Sequence, residues 1–281
     1  MEQRTITKKR LHAFEQYLVE EERSRATVEK YLREVMQLSD FLQGAPVEKS
    51  RIAAWKAALL QQNYHPSTFN GKLTAVDRFL RFWGWQDCQV KHLKVQRKAF
   101  RDSSRDLTKE EYRQLIQTAA ALGRERLLLL LETICATGIR VSEVRYITFK
   151  AIQTGKAEIF LKGKVRTILI PGKLCRKLQK YAHRQKITSG EIFLTRSGKG
   201  VSRKQIWMEM KRLCASAGIA DTKVFPHNLR HLFARCFYHA CRDVAKLADV
   251  LGHSSIETTR IYLISTGTEH VQALNRLQLI L

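Results

Sequence analysis

Between Cys88 and Arg105 the chain loses all periodicity, and that break limits what can fold on either side of it. The stretch carries Lys91, Lys94, Arg97, Lys98, Arg101 and Arg105 against a single acid, Asp102. Such a run of like charges alone reads equally as a solvated surface loop; its position between two patterned regions favours an exposed basic linker. One core spanning all 281 residues is therefore disfavoured. Two modest domains are expected, 1–87 and 107–281, joined by 88–106, each long enough to bury a core of its own.

Apolar residues recur at three and four throughout the first domain, which predicts four helices. Ile6 to Glu22 carries Leu11, Phe14 and Leu18; Ser24 to Phe41 carries Val28, Tyr31, Leu32, Val35 and Leu38. Pro46 breaks the chain, Val47 to Gln62 follows with Trp55 and Leu59, and the last helix runs from Pro66 through Leu73, Val76, Phe79 and Leu80 to Trp83. Proline near a helix start and glycine past its end, here Gly84, fit the usual asymmetry. After the linker, Thr108 and Glu111 have the spacing of a capping box for a helix to Ala121, and Arg124 to Ala136 is apolar enough to be central. Two strands are expected at Ala157–Leu161 and Thr167–Ile170, around the glycine turn Lys162-Gly163-Lys164-Val165-Arg166. Helices at Gly172–Gln185, Ser202–Ala217, Asn228–Cys241, Asp243–Leu251 and Ser255–Leu263 complete the second domain. The fold class is thus mainly α with a small β-hairpin in the C-terminal domain.

Charge narrows the partner. Fifty Lys and Arg oppose 26 Asp and Glu, a net charge of +24. Counting along the sequence gives 20 basic against 12 acidic residues up to Arg105 and 30 against 14 after it, so the excess is not a tail on a neutral body. A polyanion is the fitting partner. An acidic membrane would also attract such a chain, but it carries neither a basic amphipathic anchor nor a lipidation motif. Met1 to Arg10 is polar, with no apolar leader, and the run Leu127 to Leu131 is too short to cross a bilayer. Six cysteines lie scattered without a C-x-x-C pair, as free thiols in a reducing cytosol would; a cytoplasmic location is expected.

The chemistry-bearing residues concentrate near the C-terminus. His227-Asn228-Leu229-Arg230 puts an imidazole and a guanidinium three apart on a helix, on an arc off the core face formed by Leu229, Leu232, Phe233, Cys236 and Ala240. Gly252 ends one helix and Ser254 to Glu257 has capping-box spacing for the next, so His253 sits at a corner with Tyr262 two turns further on. Upstream, Thr137-Gly138-Ile139-Arg140-Val141-Ser142-Glu143 offers Arg140, with Glu143 one turn away. Each piece alone has a plainer reading: a polar helix start for His227 and Arg230, a packed edge residue for Tyr262. His227 and His231 also have the spacing of zinc ligands, but Asn228 stands where a metalloprotease has glutamate and further ligands are lacking. No metal and no cofactor is expected. Together, the residue types could hold a phosphodiester and attack it.

The full row Arg140, Lys162, His227-x-x-Arg230, His253 and Tyr262 resembles the tyrosine recombinase (phage integrase) family. Thr137 to Glu143 is similar to its first box, and Pro226-His227-Asn228-Leu229-Arg230-His231 with Phe233-Ala234 to its second. Leu251-Gly252-His253-Ser254-Ser255 and Thr258-Thr259-Arg260-Ile261-Tyr262 resemble the remainder. The first 87 residues resemble its helical core-binding, SAM-like domain, with Thr27, Tyr31 and Phe41 in one block and Thr68, Asn70 and Phe79 in the next.

The resemblance implies a two-domain clamp on double-stranded DNA, acting as a site-specific recombinase in integration, excision or resolution of DNA elements, including mobile ones. Tyr262 would attack the scissile phosphorus, leaving the protein on a 3′-phosphate and freeing a 5′-hydroxyl. Arg140 and Arg230 would clamp the nonbridging oxygens, Lys162 would protonate the leaving oxygen, His227 would assist proton transfer and His253 would hydrogen-bond the phosphate. Glu143 would orient the cations. The covalent link conserves the bond energy, so the mechanism needs neither ATP nor metal. The partners implied are a homotetramer on two DNA sites and accessory DNA-bending or directionality proteins. The hairpin is one residue shorter than the common family form, which leaves Lys164 as a second candidate acid, and Leu232 stands where the family often has a small hydroxyl residue. Nothing resembles an arm-binding domain, which suits the Xer-like size. The alternatives are a non-catalytic DNA-binding protein of the same fold and a type IB topoisomerase-like activity. The tail, with Val271, Leu274, Leu277 and Leu281 at helical spacing, is expected to dock on a neighbouring protomer.

Overall fold

The computed structural model describes residues 3–94, 104–161, 164–263 and 275–277, with the backbone alone for residues 161 and 164. It contains two compact units, Met1–Arg97 and Lys98–Leu281.

The first unit is built from α1 (Lys8–Glu20), α2 (Arg25–Leu42), α3 (Lys49–Gln61) and α4 (Pro66–Phe82). Each turns one stripe inward: Phe14 and Leu18, Val35 and Leu38, Ile52 and Trp55, Phe79 and Leu80 are all buried. Phe14 meets Phe79 edge-on, with ring centroids 5.2 Å apart, so α1 and α4 share an aromatic contact at the centre of the core. Phe41, by contrast, is exposed. A buried ion pair crosses from α2 to α4, where Lys72 Nζ donates to Glu34 at 2.6 Å and to Gln37 at 2.6 Å. The segment read as a linker is not free from its beginning. Cys88 is buried, and Leu93 N–H donates to Asn70 Oδ1 at 2.9 Å while Asn70 returns a bond to the Leu93 carbonyl. Residues 88–94 pack on the helical unit because Val90 and Leu93 supply the apolar side that the cations conceal in the sequence.

The second unit centres on α6 (Glu125–Thr137), which packs against α5 (Lys109–Ala121), α8 (Gly172–Arg184), α9 (Arg203–Ala217) and α10 (Pro226–Cys241). Leu129, Leu130, Leu131 and Ile134 are buried on more than one side of α6, as its unbroken apolar run requires. The Thr108–Glu111 capping box forms. A short helix α7 (Phe149–Thr154) leads into an antiparallel pair, β1 (Lys156–Leu161) and β2 (Lys164–Leu169). The register pairs Leu161 with Lys164 and Ile159 with Arg166, so the connection is only Lys162-Gly163 and β2 begins three residues before the expected Thr167. Lys164 therefore belongs to the strand. Ala157, Ile159 and Ile168 face the core, whereas Phe160, Val165 and Leu169 are exposed on the outer face. The alternation was obscured because Arg166 takes an inward place that an apolar residue would otherwise hold.

The end of the unit is α11 (Val244–Leu251) and α12 (Ile256–Arg260). Ser255, not Ser254, caps α12, its hydroxyl accepting from Glu257 N–H. The helix also ends at Arg260, so Tyr262 lies in the turn beyond it rather than two turns along it. The tail from Val271 lies outside the described residues apart from 275–277. Among the described residues no helix is long and apolar enough to cross a membrane, and the six cysteines are unpaired.

Candidate active site

Pro226 occupies the first turn of α10, where its missing N–H costs nothing. Next to it Asn228 is buried and donates to the carbonyls of Arg105 and Lys223, fixing how the helix enters. His227 is exposed beside it. Arg230 is not. The pattern placed it off the core with His227, but it is 2% exposed and is the largest of the almost completely buried side chains. Residues three apart on a helix are separated by about 60° around the axis, enough to put one at the rim and the other beneath it.

Each nitrogen of the Arg230 guanidinium has a protein partner, in four contacts for its five N–H groups. Nη1 donates to the Gly138 carbonyl, Nη2 to the Leu251 carbonyl at 2.8 Å and to His253 Nε2 at 2.9 Å, and Nε to the Tyr262 hydroxyl at 3.4 Å. Gly138 makes the first of these contacts available. It ends α6 at φ +65°, and a Cβ there would strike the Phe233 ring, so only glycine lets this corner close against α10.

A guanidinium can only donate, so His253 Nε2 is the acceptor and the ring proton is on Nδ1. Nδ1 in turn donates to Thr259 Oγ1 at 2.8 Å. Burial, then the nearby Arg230 and Arg140, push the imidazole down to about 4, which keeps it neutral near pH 7. The Tyr262 ring is 6% exposed and enclosed by imidazoles: His231 at 4.4 Å, His227 at 5.7 Å and His253, stacked at 12°, at 5.7 Å.

Arg140 precedes a 3-10 turn, Val141–Tyr146. That turn brings back Glu143, whose carboxylate accepts from the Arg140 backbone N–H at 2.7 Å and from its guanidinium at 3.0 Å. Glu143 is 1% exposed while the Arg140 side chain stays 42% exposed, so the acid supports a cation that faces outward. The same carboxylate accepts from Arg166 Nη2 at 2.7 Å, and Arg166 Nη1 reaches the Leu251 carbonyl. Burial brings the Arg166 guanidinium down to about 10, against the support of Glu143, and burial lowers Arg230 as well. His227 is also pushed down: its edge stays open at the rim, but the side chains around it strip part of its hydration, and Arg230 and Arg140 lie nearby. Cations crowded together in a half-buried pocket at such a cost suit an anionic ligand.

The structure thus brings Arg140, Glu143, His227, Arg230, His253 and Tyr262 together; Lys162 lies outside the described residues, and Lys164 is seen only as backbone. Sequence reasoning missed Arg166, Thr259 and the carbonyls of Gly138 and Leu251, and weighed His231 only as a zinc-ligand candidate. Arg166 had a signal, since it stands two residues before an apolar inward residue in the strand. Thr259 and the two carbonyls had none, because only the fold aims them. Among the described residues there is no cluster of three metal ligands.

The family model for the phage integrase family matches residues 105–268, more than half of the chain, and the model for its N-terminal SAM-like domain matches residues 11–87. The chain belongs to the phage integrase family. Tyrosine recombinase XerA of Pyrococcus furiosus is 30% identical over 289 residues, covering 100% of this chain and 98% of its own. Tyrosine recombinase XerC of Roseiflexus castenholzii is 28% identical, covering 90% of this chain and 87% of its own. Among solved structures, a lambda integrase dimer bound to a COC′ core site is similar with a TM-score of 0.71 at 18% identity, over 91% of this chain and 94% of its own. XerA recombinase is similar with a TM-score of 0.53 at 22% identity, over 97% of this chain and 99% of its own. The protein is a tyrosine-type site-specific recombinase, an enzyme of DNA recombination.

Proposed function

We propose that this recombinase cleaves and rejoins duplex DNA through a 3′-phosphotyrosine bond to Tyr262. The observation that carries the reading is the contact of the Tyr262 hydroxyl with Arg230, inside a pocket that also gathers His253, His227 and the Arg140–Glu143 pair. The phenol oxygen forms the new bond to phosphorus, the bond to the 5′-oxygen breaks, and that oxygen leaves with a proton. Phenol is a weak nucleophile while protonated, so the site must stabilise charge as it develops. Arg140 and Arg230 are assigned to the nonbridging oxygens, since guanidinium forks match phosphate geometry. Neutral His253, holding Arg230 on one side and Thr259 on the other, offers hydrogen bonding without adding charge. His227, at the rim with its ring 5.7 Å from that of Tyr262, is assigned to move the phenol proton. Lys162, which falls between β1 and β2 in the sequence, is assigned as the acid for the 5′-oxygen, with Lys164 as the second candidate. Rejoining is the reverse reaction, with a 5′-hydroxyl as attacker, so no metal or nucleotide enters.

Both units would bind duplex DNA. A XerH site-specific recombinase bound to its difH substrate and a lambda integrase tetramer bound to a Holliday junction share the fold, which supports a tetramer on two sites as the working form here. A cytoplasmic location and accessory DNA-bending or directionality proteins belong to the same reading. Duplexes that form covalent adducts with the unaltered protein can be selected from a randomised pool and remade as nicked suicide substrates. On these, Tyr262→Phe should give no adduct while binding stays within about twofold, since many other cations supply the affinity. Adduct formation by the Phe variant would overturn the assignment.

A further inference from the structure

Arg166 links the Glu143 carboxylate to the Leu251 carbonyl, two groups of the pocket that share no other direct partner among the described residues. On one side it meets Glu143, the carboxylate that holds Arg140. On the other it meets the Leu251 carbonyl, which also accepts from Arg230. The carbonyl has two lone pairs, so both guanidiniums can occupy it at once. The result is one continuous chain: Arg140, Glu143, Arg166, Leu251, Arg230, His253, Thr259. Arg166 is its central link and the only member on the hairpin.

We propose that Arg166 is a positioning residue for strand cleavage. It divides the charge of Glu143 between two guanidiniums and ties strand β2 to the Leu251–His253 corner, so that Arg140 and Arg230 meet one phosphate at a fixed separation. The inference rests on the Tyr262 cleavage reading. Three observations carry it. The first is charge: Arg140, Arg166 and Arg230 against Glu143 leave two positive charges, and without Arg166 the buried carboxylate would spend its full charge on the one guanidinium that faces outward. The second is access: the Arg166 side chain is 15% exposed, compared with 42% for Arg140, so it supports the phosphate site from behind. The third is shape: Gly252 lies at φ +64°, and a Cβ there would strike the Arg166 side chain, so the corner beside His253 is cut to let this arginine pass.

The test measures single-turnover adduct formation on the selected nicked duplexes, DNA affinity, and the melting temperature of the full chain. Arg166→Met should slow adduct formation about 100-fold, as a misplaced site does, with affinity within about twofold because one cation among many is lost. Arg166→Lys, which keeps the charge but not the fork, should fall between Met and the unaltered chain. The deciding variant is the double change Arg166→Met with Glu143→Gln. Removing the unbalanced carboxylate should recover about tenfold over Arg166→Met alone, an interaction of the size seen within coupled networks. An arginine that served only packing would make the double variant as slow as the single or slower. Should Arg166→Met fail to fold, Arg166→Gln with and without Glu143→Gln replaces it under the same expectations. Cleavage by the single variant at the unaltered rate, or a double variant no faster than the single, would overturn the role of Arg166 alone. Absence of an adduct at Tyr262 in the unaltered protein would instead remove the cleavage reading beneath it.

Discussion

Acid should reach His253 well below the ordinary imidazole range and should unsettle the second unit when it does. An ordinary imidazole titrates near 6.5, and burial with Arg230 close by brings this one to about 4. Its Nε2 accepts from Arg230 at 2.9 Å, so a proton there would set a donor against a donor and a cation against a cation. Two and a half units at 1.36 kcal/mol each give a ceiling of about 3.4 kcal/mol. The ring is only half-buried, and solvent screening brings the contribution to about 2 kcal/mol. The sign follows from proton counting. Between 6.5 and 4 the unfolded chain binds the proton and the folded chain does not, so the stability is whole above about 6.5 and is lost as pH falls towards 4. The perturbation is His253→Gln, which keeps a neutral acceptor for Arg230 but cannot titrate. Carbon-13 NMR of the imidazole ε1 positions should show one histidine, absent in the variant, with a midpoint near 4. Urea unfolding at pH 7 and pH 4 should show the unaltered chain losing about 2 kcal/mol more than the variant across that interval. A His253 midpoint above 6, or equal acid sensitivity in the two proteins, would refute the reasoning.

Other expectations follow from particular contacts. On DNA with a 5′-bridging phosphorothiolate, whose sulfur leaves without a proton, Lys162→Ala should regain cleavage and Lys164→Ala should need no rescue; the opposite pattern would move the acid to Lys164. Gly252→Ala should cost about 1–3 kcal/mol from its backbone angle and slow cleavage by displacing Arg166, while retaining DNA affinity; a normal cleavage rate would show that the corner tolerates a side chain. In the first unit, Lys72→Met leaves Glu34 buried beside Arg33 alone and should cost about 3–5 kcal/mol. Tryptophan fluorescence would follow that unfolding, since Trp55, Trp83 and Trp85 all lie there, and an unchanged urea midpoint would count against the pair.

Much of this architecture was legible because local pattern and tertiary role agree. Phe14, Leu18, Leu38 and Phe79 face inward as their spacing requires, and β1 and the apolar α6 stand where they were expected. Three of the misreadings have one cause in common: polar residues that the fold buries. Arg230 was assigned to a polar arc, yet it lies inside because two carbonyls, an imidazole and a phenol satisfy it there. Arg166 hid the start of β2 in the same way. Thr259 stands in the Thr258–Tyr262 stretch with no role of its own and is fully buried against His253. Periodicity sorts residues by polarity, so it cannot see a polar group whose partners come from distant segments.

The phenol rests on a small hydrophobic cluster of its own. Ala234, Leu247, Leu251 and Tyr262 are buried together, with Phe233, Phe237, Tyr238 and Leu263 around them, apart from the larger core that α6 organises. Stability is therefore graded along this chain, and the segment bearing the nucleophile belongs to a low rung of that ladder. Releasing it removes a few side chains from contact, each worth about 1.5–3 kcal/mol when fully buried, and leaves the main core closed. Amide hydrogens around Tyr262 should then exchange through openings smaller than global unfolding. A substitution that strengthens the α6 core would raise the melting temperature without changing how often the phenol comes free.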